Sequence, residues 1–311
     1  MGICFPLPKT DSEKYKGSEE IPTNRVESIQ LQSDEFISSL AICNEDKWVL
    51  AQENLVSMFS EFQCITKWTV EERIRTICAG ENYVILGGKN VEIFTHSGKL
   101  QSRLIGHERP VNAMCSQNHL LLTGSGDWTL RLWDMFTQEE LDRNLINWNV
   151  VTSLAWANEN LVVQTSEDLR LRLWDIREKK IMKSAVIHVG DNFATCCDAR
   201  ENLVITGHRG FSGSGCDINL WDLRKKELVK NIKTHSQSVE SVKILDEEFF
   251  SCSKDGKIAQ INRNGEVVQI WTHPEEKPFV SMDLYKIGIL AANIEPKVMF
   301  FNTNPLKLSI G

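Results

Sequence analysis

Short apolar stretches separated by polar turns recur along most of this chain, at lengths that are typical of β-strands. Three of these stretches contain Leu-Trp-Asp, and their tryptophans, 41 and 47 residues apart, are Trp133, Trp174 and Trp221. The same kind of stretch recurs with other apolar residues at Phe59, Phe94, Ile261 and Phe301. The pattern therefore predicts one structural unit repeated seven times over nearly the whole chain.

Each unit expands into four short strands. In the third unit the pattern predicts strands at Val111–Cys115, Leu120–Ser125 and Thr129–Trp133, with a fourth toward Ile146. The fourth unit repeats this at Val151–Trp156, Leu161–Thr165 and Leu169–Trp174, and the sixth at Val239–Leu245, Phe249–Ser253 and Lys257–Ile261. A period of about 40–45 residues that ends in Trp-Asp is typical of a β-propeller blade. We therefore predict an all-β chain with a single seven-bladed β-propeller over residues 26–311, preceded by a short disordered tail over residues 1–25.

The ring must close, because an open last blade would leave an unpaired sheet edge. Two segments compete to supply the outermost strand of that blade, Val26–Gln32 and Leu306–Ile310. Propellers usually close with a strand from the opposite terminus, so we expect Val26–Gln32 to do so. With either segment, both termini would leave from one side of the ring.

Composition excludes several function classes. The net charge is −7, so sequence-independent binding to nucleic acid is disfavoured. The nine cysteines lack the paired spacing of metal sites, and no secretory signal segment is present, which predicts a reduced intracellular protein without metal or cofactor. No apolar run is long enough to cross a membrane, so we expect the propeller itself to be soluble.

Three cysteines occupy repeat-equivalent positions. Cys78, Cys115 and Cys197 each fall four residues after an apolar residue that we expect to open an inner strand, at Ile74, Val111 and Phe193. Small apolar residues at that position fill the crowded space near a propeller axis. The neighbouring Cys196 should point to the opposite face of its strand.

The third blade carries a complete set of polar residues. His107 precedes the inner strand, Thr123 or Ser125 lies on the second strand, Asp127 follows in the turn, and Trp133 lies on the third strand. We interpret His107, Ser125, Asp127 and Trp133 as a structural hydrogen-bonded tetrad. Histidine, serine and aspartate could also suggest a catalytic triad, but their order and spacing match the structural set, so we expect no catalytic residue.

The set recurs incompletely in two other blades. Blade six has His235, Ser253 and Asp255 without the tryptophan, and blade four has Asn147 where the histidine would be.

Chain direction indicates which loops share a face. The inner strand of each blade runs down from one side and the second strand returns to it, so the loops that enter the blades and the turns after the second strands lie together on this top face. We predict that a protein partner binds there through six residues, which are Arg109, Trp128, Trp148, Arg170, Arg209 and Phe211. Tryptophan and arginine dominate interface hot spots. The alternative is that each indole packs flat on neighbouring blades.

A glycine-rich insertion over residues 207–217 supplies two of these residues. It lacks the Gly-Lys-Ser/Thr ending of a phosphate-binding loop and leads into a strand rather than a helix. We interpret it as a surface loop that can contact a partner.

The chain begins Met1-Gly2-Ile3-Cys4. Gly2 is an acceptor for N-myristoylation after removal of the methionine, and a palmitoylated Cys4 would supply the second signal that stable anchoring needs. Pro6 departs from this pattern, which has serine or threonine there. An ordinary N-terminus without a lipid is the alternative, and a membrane is expected as a partner only through this acylation.

The Leu-Trp-Asp series, together with Gly106-His107, resembles the WD-repeat propellers from about residue 26 onward. Blades four and five are also similar to the WD repeat-containing protein 31 family, in Asn149–Thr152, Gln164–Asp168, Leu171–Asp175, Gly210–Cys216 and Leu220–Arg224. The earlier blades depart from that family. Its members are linked to cilia and to trafficking at the ciliary base, so the resemblance implies a ciliary role in an otherwise cytoplasmic protein.

These observations predict a non-catalytic scaffold or adaptor that binds other proteins, with the oligomeric state left open. One alternative is a structural component of a large assembly such as the ciliary axoneme. A more remote alternative is an enzymatic or nucleotide-handling propeller, which convergent carboxylates or a lysine-bearing phosphate loop would favour. The sequence contains neither feature.

Overall fold

The structure is a computed structural model that describes residues 26–31, 35–146, 149–210, 214–286, 288–295 and 297–303. These residues form seven antiparallel sheets of four strands each. The innermost strands of neighbouring sheets contact one another all the way around, and the first contacts the last. The described chain is therefore a seven-bladed β-propeller, as the sequence predicts.

The strands in chain order are β1 (Val26–Gln30), β2 (Ile37–Ile42), β3 (Lys47–Gln52), β4 (Leu55–Ser60), β5 (Gln63–Thr69), β6 (Thr76–Gly80), β7 (Tyr83–Gly87), β8 (Val91–Phe94), β9 (Leu100–Leu104), β10 (Val111–Gln117), β11 (Leu120–Ser125), β12 (Thr129–Asp134), β13 (Glu139–Leu145) and β14 (Val151–Asn158). They continue as β15 (Leu161–Ser166), β16 (Arg170–Asp175), β17 (Met182–His188), β18 (Ala194–Arg200), β19 (Leu203–His208), β20 (Ile218–Asp222), β21 (Glu227–Ile232), β22 (Val239–Leu245), β23 (Glu248–Ser253), β24 (Lys257–Asn262), β25 (Val267–Thr272), β26 (Phe279–Tyr285), β27 (Gly288–Asn293) and β28 (Lys297–Asn302). A short 3-10 turn, Arg177–Lys179, lies between β16 and β17.

The seven repeat positions all fall on third strands. They lie in β4, β8, β12, β16, β20, β24 and β28, each of which is the third strand of its sheet counted from the axis. The strand bounds predicted for blades three, four and six agree with the structure to within two residues. Leu169, predicted to begin the third strand of blade four, lies in the turn before β16 with a φ of 60°.

The N-terminal segment closes the ring. Strand β1 pairs antiparallel with β28, from Val26 opposite Phe301 to Gln30 opposite Lys297. The prediction that the front of the chain supplies the last strand is confirmed, and this pairing covers an edge that blade seven would otherwise leave open. Because Val26 lies beside the end of β28, both ends of the described chain leave from the bottom face. The competing segment Leu306–Ile310 and the predicted tail over residues 1–25 lie outside the described residues.

The repeat positions bury one large apolar side chain between each pair of blades. Trp133 packs with Ile85 and Ile93 of blade two, and Trp174 packs with Leu122 and Leu132 of blade three. Phe59, Phe94, Trp221, Ile261 and Phe301 lie in the equivalent clusters of the other blades. Blades without the Leu-Trp-Asp motif therefore still have a large apolar side chain at this position, because that side chain fills the space between neighbouring sheets.

One repeat-equivalent cysteine is misassigned by the sequence pattern. In blade three Val111 pairs with Ser125, and the pairing register of blade five places Ala194, not Phe193, at the same position. The loop that enters blade five is longer than the sequence pattern implied, so Asp198 is the counterpart of Cys115. Cys197 instead packs between blades four and five, while Cys196 packs between blades five and six, which confirms that the two thiols point to opposite faces.

The inner strands surround a central cavity of about 460 Å³ that contains charged groups on one side. The Nζ of Lys243 lies 2.9 Å from Oδ1 of Asp283, whose Oδ2 accepts the amide of Ile42 at 2.9 Å. Asp198 accepts the amide of Ile244 at 2.8 Å. Burial raises the pKa of Asp198, although the positive charge of Lys243 lowers it in part. These contacts link blades five to six, six to seven and seven to one. The ring is therefore closed by polar contacts near its axis as well as by the pairing of β1 with β28.

No helix in the described part of the chain is long and apolar enough to span a membrane. The eight described cysteines are all free thiols.

Candidate functional site

The polar residues of blade three form one continuous chain of hydrogen bonds. Nδ1 of His107 lies 2.9 Å from Oδ2 of Asp127, and Nε2 lies 2.7 Å from Oγ1 of Thr123. The indole Nε1 of Trp133 donates to the same Thr123 oxygen at 2.9 Å. Burial alone would raise the pKa of Asp127, but hydrogen bonds from His107, Thr129 and the Glu108 amide lower it well below its usual range.

The hydroxyl in this chain belongs to Thr123, and assigning that role to Ser125 is wrong. Ser125 donates to the carbonyls of Arg109 and Pro110, and its oxygen accepts the amide of Asp127. Both residues lie on the same face of β11, but Ser125 lies one step nearer the top, where it reaches only the backbone. It therefore fastens the loop that enters the blade to the turn that follows β11.

The chain cannot work as a catalytic triad in the described geometry. Thr123 is completely buried, and the side chains of His107 and Asp127 are only 2% and 6% exposed. The Thr123 oxygen also already accepts the Trp133 indole. A substrate would have no path to the hydroxyl, so these residues act as architecture.

Other blades form equivalent buried hydrogen bonds with other residues. In blade six His235 bonds Asp255 and the hydroxyl of Ser251, which replaces the predicted Ser253 for the same reason as in blade three. In blade five the indole of Trp221 donates to Thr206, which contacts His208 at the end of β19.

In blade four Arg172 binds Asp168 through two nitrogens, and the indole of Trp174 donates to Gln164. Asn147, the predicted substitute for the histidine, lies outside the described residues. Arg172 is a side chain that the sequence pattern did not single out. Its position on β16, two residues before Trp174, could have identified it from the sequence.

The blade-three chain fixes a turn that presents Trp128 on the top face. Asp127 accepts the amides of Glu108 and Thr129, each at 2.9 Å. Trp128 is half-buried and lies in the left-handed region with a φ of 66°. The guanidinium carbon of Arg109 lies 5.2 Å from the centroid of its ring, which is a cation–π contact.

The left-handed conformation at Trp128 is unusual for a bulky residue. The equivalent turn position in blade six is Gly256, with a φ of 72°. A non-glycine residue held in this region costs on the order of 1–3 kcal/mol. Leu169 of blade four has the same conformation at the equivalent turn position, with a φ of 60°. Folding alone therefore favours glycine at this position.

Two of the other four predicted partner residues are described by the structure, and they lie on blades four and five. Arg170 begins β16 and is exposed, with its Nε 4.0 Å from Asp168, and Arg209 is exposed just after β19. Trp148 and Phe211 lie outside the described residues. Of the six predicted residues, the structure brings Arg109 and Trp128 into contact with each other.

Two further arginines, which the sequence analysis missed, lie near this pair. Arg75 Nη1 bonds Oδ1 of Asn112 at 3.4 Å, and Asn112 and Arg109 both lie against Gly126 in the Trp128 turn. Arg73 and Arg75 line a top-face cavity of about 380 Å³ with Asn112. The signal for these arginines was their position in the loop that enters blade two. The basic and aromatic side chains are thus concentrated on blades two and three.

Comparisons with known proteins agree with this architecture. The sequence profile of the family described as "WD domain, G-beta repeat" matches residues 98–134. These residues cover the outer strand of blade two and the first three strands of blade three, including His107 and Trp133. Residues 98–134 are thus similar to one WD repeat, within a chain whose described residues form a seven-bladed β-propeller.

Relatives with curated names match parts of the chain. The WD repeat-containing protein 55 homolog of Dictyostelium discoideum is 25% identical over 205 residues, which is 64% of this chain and 49% of the relative. The coronin-like protein of Saccharomyces cerevisiae is 32% identical over 28% of this chain, and the periodic tryptophan protein 2 homolog of Schizosaccharomyces pombe is 33% identical over 39%. Each of these two matches spans 14% of the relative. The aligned part of this chain therefore spans half or less of each relative.

Solved structures match over a larger part of the chain. The WD40 β-propeller domain of Doa1 has a TM-score of 0.78 at 16% identity and covers 92% of this chain and 99% of that domain. The computationally designed Ika8 protein has a TM-score of 0.69 at 16% identity and covers 88% of this chain and 98% of its own. At this level of identity the likeness establishes the fold alone.

Proposed function

We propose that the chain is a non-catalytic adaptor that holds a protein partner on its top face, with Trp128 and Arg109 at the centre of the contact. The observation that carries this proposal is the strained, half-buried indole of Trp128 on a turn that the polar chain of blade three keeps rigid. A side chain already fixed in its binding conformation loses little entropy when a partner binds. Tryptophan and arginine are also the residues that most often dominate binding energy.

The surrounding charges indicate the kind of partner segment that would fit. Arg73, Arg75 and Arg109 are exposed in the loops that enter blades two and three, on a chain whose net charge is negative. A segment with acidic groups beside an aromatic or apolar anchor would complement them. Arg170, Arg209, Trp148 and Phe211 would extend the contact toward blades four and five.

Substitution of the turn tests this function. Trp128→Gly removes the indole and relieves the backbone strain, so the variant should fold with stability within about 1 kcal/mol of the wild type. Its binding to partners should fall by about 2 kcal/mol or more, roughly thirtyfold. Affinity capture from native extract with quantitative mass spectrometry would compare wild type, Trp128→Gly and Arg109→Ala.

The matched control is Phe136→Ala, which removes an aromatic side chain that is 82% exposed in the bottom turn of the same blade. Partners of the top face should be recovered with this variant as with wild type. Recovery of the same partners by Trp128→Gly would contradict the proposed site.

We further propose that Gly2 and Cys4 tether this adaptor to a membrane and that it acts in the cilium or at its base. The resemblance of blades four and five to the WD repeat-containing protein 31 family supports the ciliary role, and the Met-Gly-Ile-Cys start supports the tether. Val26 lies at the bottom face, so a chain anchored through its N-terminus would leave the top face open to a partner. Localisation of a chain tagged at its C-terminus tests both points.

A further inference from the structure

Three exposed arginines on the top face form no ion pair with a carboxylate of the described chain. Arg73 and Arg75 lie in the loop that enters blade two, and Arg109 lies in the loop that enters blade three. Most other exposed arginines of the described chain are paired with a carboxylate. Glu72, next to Arg73 in sequence, accepts the amide of Lys89 at 3.0 Å instead. The three guanidinium groups therefore remain available to an anionic ligand.

Two of these arginines line one cavity. Arg73, Arg75 and Asn112 surround a volume of about 380 Å³, together with Ser38 and the buried Ile74. Nη1 of Arg75 donates to Oδ1 of Asn112 at 3.4 Å, and no group in the described residues accepts a hydrogen bond from Nδ2 of Asn112. The cavity therefore presents N–H donors that come from the loops of two neighbouring blades.

Packing between blades does not explain these long polar side chains. The pairing registers place Arg75 and Asn112 at the same position of their inner segments, which is Thr152 in blade four and Thr195 in blade five. The hydroxyls of both threonines donate to backbone carbonyls of the next blade. A threonine is thus sufficient to join neighbouring blades at this position, so a guanidinium there is not required by the fold.

An apolar surface borders the arginines on blade three. The guanidinium carbon of Arg109 lies 5.2 Å from the centroid of the Trp128 ring. Leu145, at the top end of β13, is 73% exposed, and the amide of its neighbour Ile146 donates to the carbonyl of Trp128 at 2.8 Å. Charged and apolar side chains therefore lie side by side on this part of the top face.

We propose that the three arginines bind a phosphorylated serine or threonine of a protein partner, with an apolar residue of the same segment against Trp128 and Leu145. This inference rests on the proposed adaptor function and names the group that the top face recognises. A phosphate monoester carries about two negative charges and three terminal oxygens, whereas one guanidinium can bind both oxygens of a carboxylate. Donors from Arg73, Arg75 and Asn112 match the larger anion. The apolar surface favours a peptide, because free phosphate would not contact it.

Fluorescence anisotropy with labelled peptide pools tests this inference on the full chain. Each pool has one fixed central residue, which is phosphoserine, phosphothreonine, serine or glutamate, between randomised flanking residues. At least one phosphorylated pool should bind about tenfold more tightly than the serine and glutamate pools.

Substitutions locate the binding. Arg73→Ala, Arg75→Ala and Arg109→Ala should each weaken binding of the phosphorylated pool about tenfold. Arg75→Lys should recover only part of the loss, because an ammonium group lacks the planar fork of a guanidinium. Arg143→Ala serves as the control, since it removes an exposed arginine from β13, the outer strand of the same blade, and should bind like wild type. Far-UV circular dichroism checks that each variant is folded.

Phosphatase treatment separates this inference from the proposed function. Affinity capture with wild type should lose the top-face partners when the native extract is first treated with a phosphatase. Partners that survive the treatment but are lost with Trp128→Gly overturn the phosphate inference and leave the adaptor function standing. Equal recovery by Trp128→Gly contradicts the adaptor site, whereas the peptide pools test the arginines independently.

Other results would also overturn the inference. One is a serine or glutamate pool that binds as tightly as both phosphorylated pools. Another is arginine variants that bind like wild type, or an Arg143→Ala variant that is weakened as much as they are. Binding of phosphatidylcholine vesicles that contain phosphatidylinositol phosphates, without binding of the phosphorylated pools, would assign the arginines to a lipid headgroup instead.

Discussion

Removal of the Thr123 hydroxyl is the sharpest test of the architecture. Thr123→Val keeps nearly the same volume, so it creates no cavity, but it leaves Nε2 of His107 and Nε1 of Trp133 without their partner. Both groups are buried, and each unsatisfied buried group costs about 1–3 kcal/mol. The free energy of unfolding should therefore fall by about 2–6 kcal/mol, measured by urea denaturation followed by far-UV circular dichroism.

Two comparisons make this result interpretable. Thr137→Val changes an exposed threonine in the bottom turn of the same blade and should alter stability by less than about 0.5 kcal/mol. In a double-mutant cycle, Thr123→Val and Trp133→Phe should be coupled by about 1 kcal/mol, whereas Ser125→Ala and Trp133→Phe should be nearly additive. A Thr123→Val variant as stable as wild type would refute the inferred hydrogen-bonded chain.

Three further predictions concern the core, acid stability and the N-terminus. Trp133→Ala should lower the free energy of unfolding by about 3–5 kcal/mol, because it removes a buried aromatic from the layer between two blades. The pKa values of Asp127 and Asp255 are lowered in the folded state, so their stabilising contribution is complete above the unfolded value near pH 4 and is lost as the pH falls further, which urea denaturation at pH 7 and pH 3 would show. If the tether operates, intact-mass measurement from a eukaryotic host should detect an acyl group, Gly2→Ala should release the protein fully from membranes, and Cys4→Ser should release it in part. Stability unchanged by Trp133→Ala, stability that rises on acidification, or an N-terminus without acyl mass would each contradict the corresponding prediction.

The sequence alone determined the repeat and hence the fold class. A strand period of two and a blade period near 40 residues are local regularities, so the third strands could be located even where Phe94 or Ile261 replaces tryptophan. The closing strand was also predictable, because covering the open edge of blade seven is a general requirement of a closed ring.

Only the tertiary structure decided several details of the site. The alternation of side chains along a strand places Thr123 and Ser125 on one face of β11. It does not decide which hydroxyl contacts the imidazole, because that depends on where the loop that enters the blade places His107, sixteen residues before Thr123. The left-handed backbone of Trp128 depends on the hydrogen bonds that Asp127 accepts from the amides of Glu108 and Thr129.

The grouping of Arg73 and Arg75 near Trp128 and the link between Lys243 and Asp283 depend on how separate blades meet around the axis. Contacts of this kind join residues far apart in sequence, and hydrophobic periodicity carries no information about them.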